Sequence, residues 1–420
     1  MEAERHKPIF SRALAVAAVA LNLCAPAHAA PKYKVLHYFS GADGSGPYGG
    51  VTLGDRGTLY GATVGGGSGV ACNRNGGCGV VFQLTPQGKG QWSEQVLYSF
   101  CSDQNCTDGV GPMGSLFLDA SGGLYSTTNI GGAYNAGTVF ELTHASGGWE
   151  ESVLYSFGAQ NGDGGGPTAG LVMDAAGTLY GTAAYGGSTA FELTFSSSGW
   201  NETLLHGFGV GKGDGAGPFA GLILDSVGNL YGTTAAGGVG CAGEGCGTVY
   251  ELTPVSGGWN ETVLHSFDNN GKDGVTPGSG SLILDASGSL YGTTEVGGAK
   301  GWGTVFKLKP GADGKWTETI LHNFRQGTTG SFPAAGVVMD KAGNLYGTTV
   351  DGGSGADCGV VYRLAPKPKR EWKYTVLHPF YGYDGCVPAG NLIIDKKGNL
   401  YGGTVLGGTT GNGVIFKLTP

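Results

Sequence analysis

Sustained helical periodicity is missing throughout this chain of 420 residues, and beyond residue 29 so is any apolar run long enough to cross a membrane. Charge is sparse, at 13% of residues, and leans acidic: 24 Lys and Arg stand against 32 Asp and Glu. That balance repels phosphate backbones and offers no basic patch to a bilayer, so neither nucleic acid binding nor membrane insertion is expected. The 86 glycines follow no Gly-x-y period, which excludes collagen, and an apolar content of 40% excludes wholesale disorder. Enzyme signatures are wanting as well: there is no His-Glu-x-x-His, no Gly-x-Ser-x-Gly and no phosphate-binding loop.

Residues 1–29 read as an export signal. Arg5, Lys7 and Arg12 form a basic start, residues 13–25 are an apolar run too short to span a bilayer, and Ala27-His28-Ala29 is a small-x-small cleavage site. Residues 30–420 would then be a mature domain secreted to the periplasm or the cell exterior. Of nine cysteines Cys24 leaves with the signal, and the eight that remain suit an oxidising compartment. Spacing suggests Cys72–Cys78, Cys101–Cys106 and Cys241–Cys246 as local pairs, which leaves Cys358 for Cys386. Many other connectivities are open to eight cysteines.

What is present is a repeat. Leu-Tyr recurs at Tyr60, Tyr125, Tyr180, Tyr231, Tyr291, Tyr346 and Tyr401. Around Tyr231 the unit reads as four runs, at residues 222–225, 229–234, 247–253 and 259–267. Each is rich in β-branched and aromatic residues and bounded by turn formers, which is strand chemistry; the runs are called a to d. Asp119, Asp174, Asp225, Asp285, Asp340 and Asp395 each stand three residues before a Gly, as a tight a–b turn requires, while Gly54 takes the Asp place in the first unit. Four antiparallel strands used seven times indicate an all-β, seven-bladed β-propeller. Residues 33–39 form a lone strand d, and residues 414–418 a strand c with no d after it. The N-terminal strand can therefore complete the last blade and close the ring, whereas an open solenoid would need polar caps.

Leu-Tyr-Gly-Thr-Thr, Gly-Thr-Val-Phe-Lys-Leu and Trp-x-Glu-Thr-x-Leu-His-x-Phe, recurring over residues 33–420, resemble the GloVer-type tandem repeat of secreted bacterial proteins called choice-of-anchor proteins. The resemblance implies export and brings no catalytic residues with it. Members typically end in a cell-surface sorting segment; none precedes Pro420, so surface anchoring is not expected here.

In such a blade the b–c and d–a loops share one face. The b–c loops vary from residues 65–79 to the minimal 186–189, and the eight mature cysteines lie in or beside b–c and d–a loops, which marks this as the working face. The d–a loops carry Asp-Gly-x-x-Pro at Asp43, Asp108, Asp163, Asp214, Asp273 and Asp384, with Thr329 breaking the series. The simpler reading is that each Asp caps its own turn. The alternative is a carboxylate ring at the channel mouth holding Ca²⁺; no other cofactor is expected. His37, His206, His265, His322 and His378 share one place in strand d, filled by Tyr98 and Tyr155 in two blades, and read as aromatic packing units. Trp302 stands outside the repeat on the working face, and Tyr48, Phe219 and Phe332 flank d–a prolines there. Aromatic planes at a loop-built mouth can stack on sugar rings; covering the blade tops is the competing reading.

Five arginines follow the signal, Arg56, Arg74, Arg325, Arg363 and Arg370, too scattered for the channel cluster a sialidase-like propeller presents. The expectation is thus a monomeric binding propeller for an extracellular glycan or protein. A polysaccharide-active hydrolase or lyase, and a structural envelope protein, are the alternatives.

Overall fold

The computed structural model describes residues 30–420 except 70, 71, 73–75, 161, 244, 279, 354, 369 and 370; the expected export signal, Arg74 and Arg370 lie outside the described residues. Seven four-stranded antiparallel sheets follow one another in the order a-b-c-d. In blade 4 the strands are Ile223–Leu224, Leu230–Thr234, Thr248–Val255 and Gly258–Ser266. Two short 3-10 turns, Asp55–Gly57 and Cys241–Gly243, interrupt the strands, and no α-helix occurs among the described residues.

The repeat motif is explained by its contacts. Each of the six hairpin aspartates accepts the N–H four residues on at 2.7–2.9 Å. Its other oxygen accepts the hydroxyl of the Leu-Tyr tyrosine at 3.0–3.4 Å. The hairpin glycines have φ between 77° and 96°, the left-handed region that other residues avoid. Burial works against the Asp285 charge, yet the donors of Ser287, Ser289 and Tyr291 outweigh it and hold the carboxyl at about 2. The first Thr of Tyr-Gly-Thr-Thr reaches into the next blade: Thr127, Thr182, Thr293 and Thr348 donate to carbonyls of Ala169, Ala220, Ala335 and Pro388 at 2.8–3.1 Å.

The hydrophobic core lies between blades. The Phe that ends strand d is fully or almost fully buried against the ring in strand c of the following blade. Seven such pairs, from Phe39–Phe82 to Phe380–Phe416, have centroids 4.8–5.4 Å apart. The seventh blade is completed from both ends of the chain. Lys32–Tyr38 pairs with Val414–Thr419, from Lys32 opposite Thr419 to Tyr38 opposite Val414. Phe39 then packs with Ile415 and Tyr401 of blade 7 and with Val51, Leu59 and Phe82 of blade 1.

A glycine opens strand c where the next blade's d–a proline leans over it. At Gly247, φ is 100° and an added Cβ would meet the Thr234 carbonyl and the Pro277 ring. Gly247→Ala is expected to cost roughly 2–4 kcal/mol, combining left-handed strain with overpacking, and to lower the urea midpoint without changing the slope. A midpoint equal to that of the native chain would rule this account out.

Candidate functional site

The loop face is stiffened in every blade, because each d–a loop pairs with the b–c loop of the blade it enters. Blades 4 and 5 use short ribbons, Gly215–Ala216 with Ala236–Gly237 and Gly274–Val275 with Val296–Gly297. The others use single bridges at Ser45–Gly65, Val110–Ile130, Gly165–Tyr185, Ser331–Asp351 and Cys386–Leu406. Four disulfides add to this, joining Cys72–Cys78, Cys101–Cys106, Cys241–Cys246 and Cys358–Cys386. The last ties the b–c loop of blade 6 to the d–a loop that leaves it.

At the channel mouth a cavity of about 160 Å³ is lined by Tyr48, Met113, Thr168, Tyr185, Phe219 and Asn391, with small residues between them. At a water's share of roughly 30 Å³ it holds about five waters, so it suits the end of a ligand rather than its length. Beside it, between blades 2 and 3, a groove of about 460 Å³ is lined by Asn129, Asn135, Gln160, Asp163 and again Tyr185. Tyr185 is 55% exposed and meets Phe219 edge-on at 5.6 Å. Burial first, and then Glu295 and Tyr185, push the Tyr48 phenol up, so it remains a neutral donor.

The four candidate aromatics therefore divide into two pairs. Tyr48 and Phe219 share the cavity, whereas Trp302 and Phe332 are not in its lining and meet each other edge-on at 5.0 Å, with Trp302 packed on the core of blades 5 and 6. Tyr185 was not singled out in the sequence; a lone Tyr in the shortest b–c loop is the signal that points to it.

The six Asp-Gly-x-x-Pro aspartates do not gather at the cavity, whose lining holds no carboxylate. Each lies at its own blade junction, bonded to the aromatic of strand d. His37–Asp43, His206–Asp214, His265–Asp273 and His378–Asp384 are 2.9–3.2 Å apart, and Tyr98 and Tyr155 donate to Asp108 and Asp163 at 2.7 and 2.8 Å. The same carboxylates accept loop N–H groups, as Asp43 does from Ser40 at 2.7 Å and Asp384 from Tyr381 at 2.8 Å. Four of the five histidines are thus hydrogen-bonded as well as packed, and all five, His322 included, lie edge-on to the Phe two residues later at 4.6–5.1 Å.

A glutamate from strand d of the next blade completes five of these groups. Glu94, Glu151, Glu202, Glu261 and Glu318 each bury one carboxyl oxygen that has no hydrogen-bond partner among the described residues. The recurrent Trp-x-Glu was the legible sign of them. At the remaining two junctions tyrosines replace the glutamate: Tyr33 stacks on His378 at 3.7 Å and Tyr374 on His322 at 4.1 Å.

Three groups, His37–Asp43–Glu94, His206–Asp214–Glu261 and His265–Asp273–Glu318, have donor atoms within 4.8 Å of one another, close enough to hold a divalent ion. They mix imidazole with carboxylate, unlike the all-oxygen shell that Ca²⁺ prefers. The other junctions put a neutral Tyr where a ligand would stand, so one hydrogen-bonded joint accounts for the whole ring.

No curated protein matches this sequence. Solved structures similar in fold include a candidate 6-phosphogluconolactonase from Bacteroides uniformis, at 13% identity and TM-score 0.47, covering 84% of this chain and 88% of that one. A second from Bacteroides fragilis has 16% identity, TM-score 0.49 and coverage of 80% and 85%. PorZ, an essential surface component of the type-IX secretion system of Porphyromonas gingivalis, has 16% identity and TM-score 0.48, with 89% of this chain covering 46% of that one. At such distances the likeness is one of fold and carries no activity. The sequence itself is matched by the Gloeobacter/Verrucomicrobia repeat over residues 26–244 and again over 239–420, and the chain belongs to that repeat family.

Proposed function

We propose that this propeller is an exported binding module that takes up an extracellular glycan on its b–c/d–a face, the chain end seated in the channel mouth and the following sugars in the groove between blades 2 and 3. The observation that carries this reading is Tyr185, which lines both spaces. A sugar's C–H face packs on such rings, and the Asn391 and Asn129 amides both donate and accept, as sugar hydroxyls require. Export is supported by the four disulfides, and no helix among the described residues is long and apolar enough to cross a membrane.

Catalysis would need carboxylates beside the sugar. Two carboxylates and a tyrosine do converge at Tyr155–Asp163–Glu202, and Asp163 reaches the groove. That grouping recurs with Tyr98, Asp108 and Glu151, where it joins blades, so we assign it to the scaffold.

A glycan array followed by calorimetry tests the reading. Tyr185→Ala and Phe219→Ala are each expected to weaken the ligand about tenfold, or about 1.4 kcal/mol, at unchanged melting temperature. Binding that survives both substitutions would remove the site.

A further inference from the structure

A second space lies on the opposite face, among the a–b and c–d turns. Between blades 1 and 2 a groove of about 560 Å³ is lined by Tyr60, Gln83, Gln95, His144 and Trp149. The volume falls within the roughly 300–1,000 Å³ of small-molecule sites.

The corresponding place in other blades is occupied by charge. The residue paired with the Leu-Tyr tyrosine in strand c is Glu141, Glu192, Glu251, Lys307, Arg363 or Lys417 in blades 2 to 7, and Gln83 in blade 1 alone. Three of these charges bond the tyrosine itself: Tyr125 donates to Glu141 at 2.6 Å, Tyr231 to Glu251 at 2.8 Å, and Lys307 to Tyr291 at 2.6 Å. One strand further out, Gln95 pairs with Gln83 where Ser152, Thr203, Thr262, Thr319, Thr375 and, in blade 7, Lys34 stand elsewhere. Blade 1 also lacks the hairpin aspartate, since Gly54 replaces it.

The effect is to free hydrogen-bonding groups that the other blades consume. Among the described residues the Tyr60 hydroxyl has no hydrogen-bond partner, and Gln83 makes a single bond, donating Nε2 to Thr85 at 3.2 Å. Gln95 is exposed. Facing them, Trp149 lies 6.3 Å from the Tyr60 ring and 5.6 Å from His144, which meets it edge-on. The groove therefore offers an indole wall, two amides and a phenol, with no fixed charge among the five side chains named.

We propose that this groove binds a neutral oligosaccharide, at a site separate from the loop face and independent of the reading given to that face. Sugar hydroxyls both donate and accept, as amides and phenols do, and the apolar face of a pyranose covers an indole. None of the five side chains carries a permanent charge, so a charged ligand would gain little from them to offset its desolvation.

Calorimetric titration of the full chain with cellohexaose and with maltohexaose tests the assignment. Binding of at least one is expected, with Trp149→Ala weakening it about tenfold. Gln83→Glu gives blade 1 the residue with which blades 2, 3 and 4 already fold, and is expected to weaken binding as much while leaving the melting temperature intact. Tyr185→Ala is expected to leave this binding in place. The proposal fails if neither oligosaccharide binds. It fails equally if binding survives both Trp149→Ala and Gln83→Glu, or if Tyr185→Ala alone abolishes it, in which case the loop-face site stands by itself.

Discussion

Deletion of residues 31–39 is expected to lower the melting temperature by about 10 °C or more and to produce self-association. These residues supply strand d of blade 7 and the Phe39 ring that joins blades 7 and 1. Removing a buried Phe costs roughly 3–5 kcal/mol, and the pairing from Lys32 to Tyr38 goes with it, so a loss of about 10 kcal/mol is reasonable. A folded body this large has an unfolding entropy near 0.8 kcal/mol/K at about 2.1 cal/mol/K per residue, which converts that loss to roughly 12 °C. The Val414–Thr419 strand becomes an open edge, and such edges pair with other chains. Calorimetry and light scattering measure both effects, and a synthetic peptide of residues 31–40 should reverse them. A truncated chain that melts like the native one would mean that the ring is held by something other than this strand.

The second large effect is a stability that falls in alkali. Burial, and then the neighbouring Asp43, Asp108, Asp163 and Asp273, push Glu94 and Glu202 up to about 7 and Glu151 and Glu318 up to about 8. Burial and Asp214 raise Glu261 as well, with His206 opposing them. A carboxyl whose folded pKa lies above its unfolded value contributes stability that is full below about 4.5 and lost as pH rises through 7 to 8. The acid side is bounded by other groups. Burial lowers His37, against the opposing pull of Asp43, and lowers His322 to about 4 with help from Arg325. Their contribution is present above about 6.5 and is lost as pH falls through those lowered values.

The melting temperature should therefore peak near pH 6 and decline towards pH 9. These glutamates are partly solvated, so after discounting for screening each contributes on the order of 0.5–1 kcal/mol, or roughly 3–6 °C for the five together. The double variant Glu151→Gln, Glu318→Gln keeps the shape of the joint without its titration and should flatten the alkaline fall by about half. If native and variant profiles ran parallel from pH 6 to pH 9, the glutamates would not be the cause.

Both effects arise at blade junctions, and junctions are where sequence and structure part company. The blade count was legible because every cue is local. Asp and Gly three apart make the a–b hairpin, and the tyrosine that locks it follows six residues after the Asp. The same holds for the three disulfides with separations of 5 or 6 residues. Cys358–Cys386 needed one further step, the recognition that b–c and d–a loops share a face. Closure was legible too, since an orphan strand d at one end and a missing strand d at the other have one economical solution.

Contacts between repeats were not legible. The d–a aspartates read first as turn caps, and loop N–H groups do donate to them; the alternative of a ring stayed open because repetition places equivalent residues at equivalent heights and does not say at what radius. Hydrogen bonds to His37, His206, His265 and His378 draw them to the outer strands instead. Their glutamate neighbours come from the following blade, some fifty residues on, where no spacing rule connects them. Tyr48, Tyr185 and Phe219 likewise meet only because blades 1, 3 and 4 converge on one channel.

A closed, seven-bladed, disulfide-braced β-propeller follows from the order of residues, because strand, turn and repeat are short-range properties of the chain. Which side chains meet between blades, and with them the channel-mouth cavity and the groove beside Trp149, follows from packing in three dimensions. Those spaces depend on the distance of each residue from the ring's axis, which is set by blade-on-blade packing and leaves no mark in the order of residues.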